Sequence, residues 1–102
     1  MNEGGVVSGC ESLEEVRSGI DLTDELIVAL IAKRAEYVRE ASKFKKSEQA
    51  VQDKQRVEQV IASKRELAQK HNISPELIAT IYRNMIDYFV TEEMKIWKER
   101  NK

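Results

Sequence analysis

A single hydrophobic seam constrains this chain more than any other feature. Leu13, Val16, Ile20, Thr23, Ile27, Leu30, Arg34, Tyr37, Ala41 and Phe44 recur at alternating spacings of three and four, the repeat of a helix that packs along its length against other helices. Ser12 followed by Glu15 makes a capping box at its head, and after Gly19 neither Gly nor Pro interrupts it before about Lys46. At a rise of about 1.5 Å per residue such a helix is roughly 50 Å long. A compact domain of this size has a radius of gyration of only about 13 Å, so one end protrudes with Ile20, Ile27 and Leu30 uncovered. Two copies of the helix lying together are the simplest symmetric cover, and two-fold dimers are the commonest oligomers. The expected architecture is all-α: a three-helix chain with a long first helix, assembled as an intertwined homodimer.

The two remaining helices are shorter. One pattern runs from about Asp53 to Lys70 and turns Val57, Val60, Ile61, Leu67 and Ala68 inward, after a polar connection from Lys46 to Gln52; His71-Asn72 ends it. Ser74 as N-cap and Pro75 at the first helical position open the other, whose inward stripe reads Ile78, Ile81, Met85, Phe89, Glu93 and Ile96. The length of 102 residues allows one core and excludes a nucleotide fold with a second module. A flexible leader over residues 1–11 and a single helical domain over 12–102 are expected.

With 17 basic against 18 acidic residues, no global field points to nucleic acid or an anionic membrane as partner. The one cysteine, Cys10, cannot form an internal disulfide, and the start of the chain lacks a basic segment followed by an apolar run. The longest apolar stretch, Leu26 to Ala32, is far short of the roughly 20 residues that span a bilayer. Cytoplasmic residence is expected, and any positive site is local.

Arg34 stands on the seam where the repeat asks for leucine. It precedes Lys45 by three helical turns, so on one helix the two project from nearly the same face about 16 Å apart. Val38 and Ala41 lie between them as a small apolar floor. Two cations leaning over such a floor repel unless an anion fills the gap. The alternative is that Arg34 snorkels outward or pairs with a carboxylate on a neighbouring helix. Arg17, near the start of the seam, and Arg56, opening the second helix, can also reach the interior. Arg17 and Arg34 lie roughly 25 Å apart along one helix, too far to grip one small molecule from the same chain. In an antiparallel dimer Arg17 from one protomer completes a pocket with Arg34, Lys45 and Arg56 of the other, four cations suited to a small dianion. Exposed ion pairs are the plain alternative for Arg17 and Arg56. Glu93 interrupts the apolar stripe between Phe89 and Ile96, and a buried carboxylate is costly unless paired or protonated. An ion pair with one of these cations would satisfy it.

The fragments EEVRSGID around Arg17, KRAEYV around Arg34, ASKFKKSE around Lys45, QRV around Arg56 and TEEMKIW around Glu93 carry a resemblance in their order and spacing. From about Leu13 to Trp97 the chain resembles the all-helical chorismate mutase family, and within it the isochorismate-pyruvate lyases of salicylate and siderophore biosynthesis. The resemblance implies an intertwined dimer with two equivalent pockets, each taking one arginine from the partner. It implies that Arg17 in trans and Arg34 hold carboxylates, that Lys45 binds a carboxylate and the bridging ether oxygen, and that Arg56 contacts the ring side. Val38, Ala41, Val57 and Phe89 would line the substrate. Glu93 takes a position that is glutamine in many relatives and glutamate in some mutases, donating to the same ether oxygen. Val57 stands where family mutases often carry a glutamate that reads the ring hydroxyl, which favours isochorismate over chorismate as substrate.

Both family reactions are pericyclic and need no nucleophile, no metal and no cofactor. That agrees with a sequence lacking a metal-ligand cluster, a glycine-rich phosphate loop and a catalytic cysteine arrangement. Lys45 is the expected electrostatic catalyst, with Glu93 beside it. The Lys46–Gln52 connection is either a lid or a plain linker. Two other readings stay open: a chorismate mutase giving prephenate, as main or secondary activity, and a non-catalytic helical dimer binding a metabolite or protein partner. Retention of all four inward cations argues against the last.

Overall fold

The computed structural model describes residues 7–102. Every regular element among them is a helix: α1 (Leu13–Ser42), α2 (Glu48–Val51), α3 (Lys54–Lys70) and α4 (Pro75–Arg100). Part of the leader expected over 1–11 lies outside the described residues, and residues 7–11 carry no regular structure. No helix among the described residues is long and apolar enough to cross a membrane.

Local signals set most of the boundaries. Ser12 Oγ accepts the Glu15 N–H at 3.1 Å, and the Glu15 carboxylate accepts the Glu11 N–H at 2.7 Å, one residue upstream of the usual capping-box donor. Asp53 caps α3 through the Arg56 N–H at 3.0 Å, and Ser74 caps α4 through the Leu77 N–H at 3.1 Å with Pro75 leading. Asn72 closes α3 in the left-handed region (φ 54°). The Ile73 N–H then reaches back to the Ala68 carbonyl at 3.0 Å and the Asn72 N–H to the Gln69 carbonyl at 3.2 Å, a Schellman motif with asparagine in the usual place of glycine.

The chain divides into two compact units, Met1–Val38 and Arg39–Lys102. In the first, α1 leaves Leu13, Val16, Ile20, Ile27 and Leu30 of the seam exposed, and Leu22, Leu26 and Val28 beside them. Ala35 is buried; Ile31, Arg34 and Val38 are half-buried. In the second unit α3 and α4 form a helix hairpin around Ile61, Ala79 and Ile86, flanked by Val57, Val60, Tyr82 and Val90. Burying an isoleucine such as Ile61 contributes about 1.5–3 kcal/mol.

Four expectations are corrected. The buried stripe of α4 runs Ala79, Ile86, Glu93, while Ile81 is 41% exposed. The apolar residues of α4 form two adjoining stripes, and α3 covers the one that includes Tyr82. On α3, Leu67 is exposed and its neighbour Ala68 buried. Helix α1 stops at Ser42 rather than near Lys46: the N–H groups of Lys43, Phe44 and Lys45 turn to the carbonyls three residues back, at 3.2, 3.0 and 3.2 Å. Phe44 therefore leaves the seam and is 81% exposed. The connection that follows holds the single turn α2, capped by Ser47 and packed on α4, with Val51 only 3% exposed.

Candidate active site

Because α1 ends at Ser42, Lys45 lies in the turn beyond it, and the expected three-turn geometry with Arg34 on one helix does not hold. The Lys45 ammonium instead donates to the Ala50 carbonyl of α2 at 3.3 Å. It also stands 3.7 Å from Glu93 Oε2 on α4. Glu93 is 6% exposed, buried as its place on the apolar stripe suggested. The 3.7 Å contact is an ion-pair approach longer than a hydrogen bond, and Glu93 Oε2 has no hydrogen-bond partner among the described residues. Burial pushes the Glu93 carboxyl above the usual carboxylate range, more than the Lys45 ammonium pulls it down; Glu92 adds a smaller upward push. The sequence left that contest open, and desolvation wins it. The result is a cation beside a carboxyl whose protonated form burial favours, and that form offers an O–H donor.

The other candidates fall in different places. Arg56 is exposed on the first turn of α3, its backbone N–H engaged by Asp53. Val57 beside it is half-buried against the hairpin core. Val57 also lines a groove with Gln52, Lys54, Glu58, Ile86, Asp87, Val90 and Thr91, to which Lys45 and Glu93 do not contribute. Ala41 is exposed; Phe89 is half-buried and meets Tyr88 edge to face at 5.2 Å. Arg17, exposed, and Arg34 and Val38, half-buried, belong to the first unit. Of the sequence-derived set, then, the second unit brings Lys45 and Glu93 together.

Neighbours that the sequence reading passed over surround this pair. Arg39 Nε donates to Glu92 at 2.9 Å, and Arg100 reaches the buried Ser42 at the end of α1. The available signal was a basic residue in the last turn of each of these helices, where cations meet helix carbonyls.

Residues 16–94 match the sequence profile of the type II chorismate mutases. The chain belongs to the chorismate mutase type II family. It is also similar to isochorismate pyruvate lyase from Pseudomonas aeruginosa, 28% identical over 90 residues that cover 88% of this chain and 89% of that protein. The region matched to the chorismate mutase family contains Arg17, Arg34, Lys45, Arg56, Val57 and Glu93, and stops short of Arg100.

Proposed function

We propose that this chorismate mutase-type chain is an isochorismate-pyruvate lyase, a single domain over residues 12–102 acting as a homodimer. The observation that carries the reading is the Lys45 ammonium 3.7 Å from the buried Glu93 carboxyl, whose pKa burial pushes upward. In the reaction the ether C–O bond of isochorismate breaks as a ring hydrogen passes to the enolpyruvyl methylene. Atoms and charge balance as salicylate and pyruvate, with no covalent enzyme intermediate. Negative charge grows on the ether oxygen, and two donors serve it: the Lys45 ammonium and the protonated Glu93 carboxyl. Arg34, Arg56 and the partner's Arg17 hold the substrate carboxylates and ring, over Val38, Ala41, Val57 and Phe89. The exposed seam of α1 supports a second copy as its cover. Similarity to the Pseudomonas lyase across 88% of the chain supports isochorismate over chorismate.

The test is to incubate purified protein separately with isochorismate and chorismate, following salicylate fluorescence and chorismate absorbance. Salicylate from isochorismate is expected. Prephenate without salicylate would make the chain a mutase, and no turnover of either would overturn the proposal. Val57→Glu is expected to lower lyase activity more than mutase activity, since it adds a carboxylate where mutase relatives carry one. The opposite ranking would show that this position does not select the substrate.

Glu93 has a pH signature. Because protonation makes it a donor, kcat/KM is expected to rise as pH falls through its raised pKa, and Glu93→Gln, a donor that never ionises, is expected to flatten the profile with its largest advantage on the alkaline side. Stability follows the same sign. With the folded pKa above the unfolded one, the contribution of Glu93 is fully present below the ordinary glutamate pKa and is lost as pH rises through the folded value. Melting temperatures measured against pH should therefore fall more on the alkaline side for the native chain than for Glu93→Gln. Superimposable profiles in both assays would return Glu93 to a plain ion-pair role.

A further inference from the structure

Ser42 ends α1 and is 3% exposed. Its carbonyl oxygen accepts two hydrogen bonds, from the Lys45 backbone N–H at 3.2 Å and from Arg100 Nη2 at 2.9 Å. Both lone pairs of that oxygen are thereby used. Arg100 Nη2 also lies 3.5 Å from Ser42 Oγ, and this hydroxyl donates to the Arg39 carbonyl at 2.6 Å. One carbonyl oxygen thus joins the backbone that carries Lys45 to a guanidinium on α4. Arg100 follows Glu93 by two helical turns, so the two side chains leave nearly the same face of α4 about 10 Å apart. One straight segment of helix therefore holds the carboxyl and, at its far end, the anchor for the backbone of the carboxyl's cationic neighbour.

We infer that Arg100 is a positioning residue that sets Lys45 against Glu93 by clamping the Ser42 carbonyl from which the Lys45 backbone hangs. The bond is charge-assisted, and it falls on the C-terminal end of α1, where helix carbonyls carry partial negative charge. A free chain end at α1 would let the Lys43–Lys45 turn unwind, because its three-residue-back bonds are weaker than helical ones. The Arg39–Glu92 pair, one turn before Ser42, braces the same end of α1 against α4 next to Glu93. Arg100 lies in the last turn of α4, beyond the region matched to the family. Its kinetic consequence rests on the proposed activity; its effect on Glu93 does not.

Two readouts on Arg100→Ala, Arg100→Lys and a control, Lys102→Ala, separate these. The first is steady-state turnover of isochorismate and chorismate, and the second is NMR titration of the Glu93 side-chain carboxyl. In Arg100→Ala kcat is expected to fall roughly tenfold to a hundredfold, the scale of a small misplacement of a reacting group, with KM changing much less. Glu93 is expected to titrate at higher pH than in the native chain, because the Lys45 ammonium that faces it is released, while Glu92, its other charged neighbour, is unchanged. Arg100→Lys still offers a cationic donor and is expected to recover most of both, and Lys102→Ala to change neither. Native kcat together with a native Glu93 titration in Arg100→Ala would overturn the clamp. If Arg100→Ala loses its helix content, the same two readouts pass to Arg100→Met, which keeps the stem without a donor, and native values for both overturn the clamp. If the native chain turns over neither substrate, the proposed activity fails while the Glu93 titration still decides the clamp.

Discussion

Lys45→Ala is expected to lose a factor of about 10²–10³ or more in kcat, the scale for removing one preorganised donor to a developing oxyanion. Helical content is expected to stay near native, since Lys45 lies in a turn and contributes to no core. Among the described residues its ammonium meets the Ala50 carbonyl and approaches Glu93. The loss has a second component, because without the cation Glu93 keeps its desolvation and loses the neighbour that pulls its pKa down. The variant's Glu93 should therefore stay a protonated donor to higher pH, so the alkaline fall in its remaining activity is expected to begin at higher pH than in the native chain. Circular dichroism with kcat measured across pH checks both parts. An unchanged kcat would remove Lys45 from the mechanism.

Arg17→Ala and Arg34→Ala are each expected to be nearly inactive, and refolding them together is expected to restore activity. The two arginines sit about 25 Å apart along α1, so one chain cannot bring both to a small substrate. In a mixed dimer one pocket receives Arg34 from one chain and Arg17 from the other, and is intact; the second pocket lacks both. Sedimentation at micromolar concentration should give twice the chain mass for each variant and for the mixture. Heterodimers that form without recovering activity would rule out Arg17 acting across the interface, and a stable folded monomer would rule out a shared pocket.

The helix ends show what was readable in the sequence and what was not. Asp53, Ser74 and Pro75 act on their own first turns, so the starts of α3 and α4 needed no tertiary information. The end of α1 had no such signal. Lys43 to Lys45 contains neither Gly nor Pro, and the helix stops where the Ser42 carbonyl is taken by Arg100, a residue far along the chain. That miss propagated to Phe44 and to the assumed alignment of Arg34 with Lys45. On α4 the apolar residues occur in adjacent pairs, Ile81-Tyr82 and Met85-Ile86 among them, so periodicity alone could not tell which member faces α3. Glu93 was readable because a charge at an apolar position demands a partner, and Lys45 is the cation found beside it. Arg39, Glu92 and Arg100 looked like ordinary surface charges, and only the packing of α4 on the end of α1 gives them a role.

The left-handed turn at Asn72 bears on the order in which the molecule assembles. Only His71 to Ser74 separate α3 from α4, so bringing Ile61 onto Ala79 and Ile86 closes a small loop at little entropic cost. Contacts so near in sequence form early in folding. Among the described residues the first part of α1 leaves its leucines and isoleucines exposed. A newly made chain therefore reaches a formed hairpin with Glu93 already placed on it, and if a second copy covers the seam, as proposed, the delay before that step lengthens as the protein is diluted.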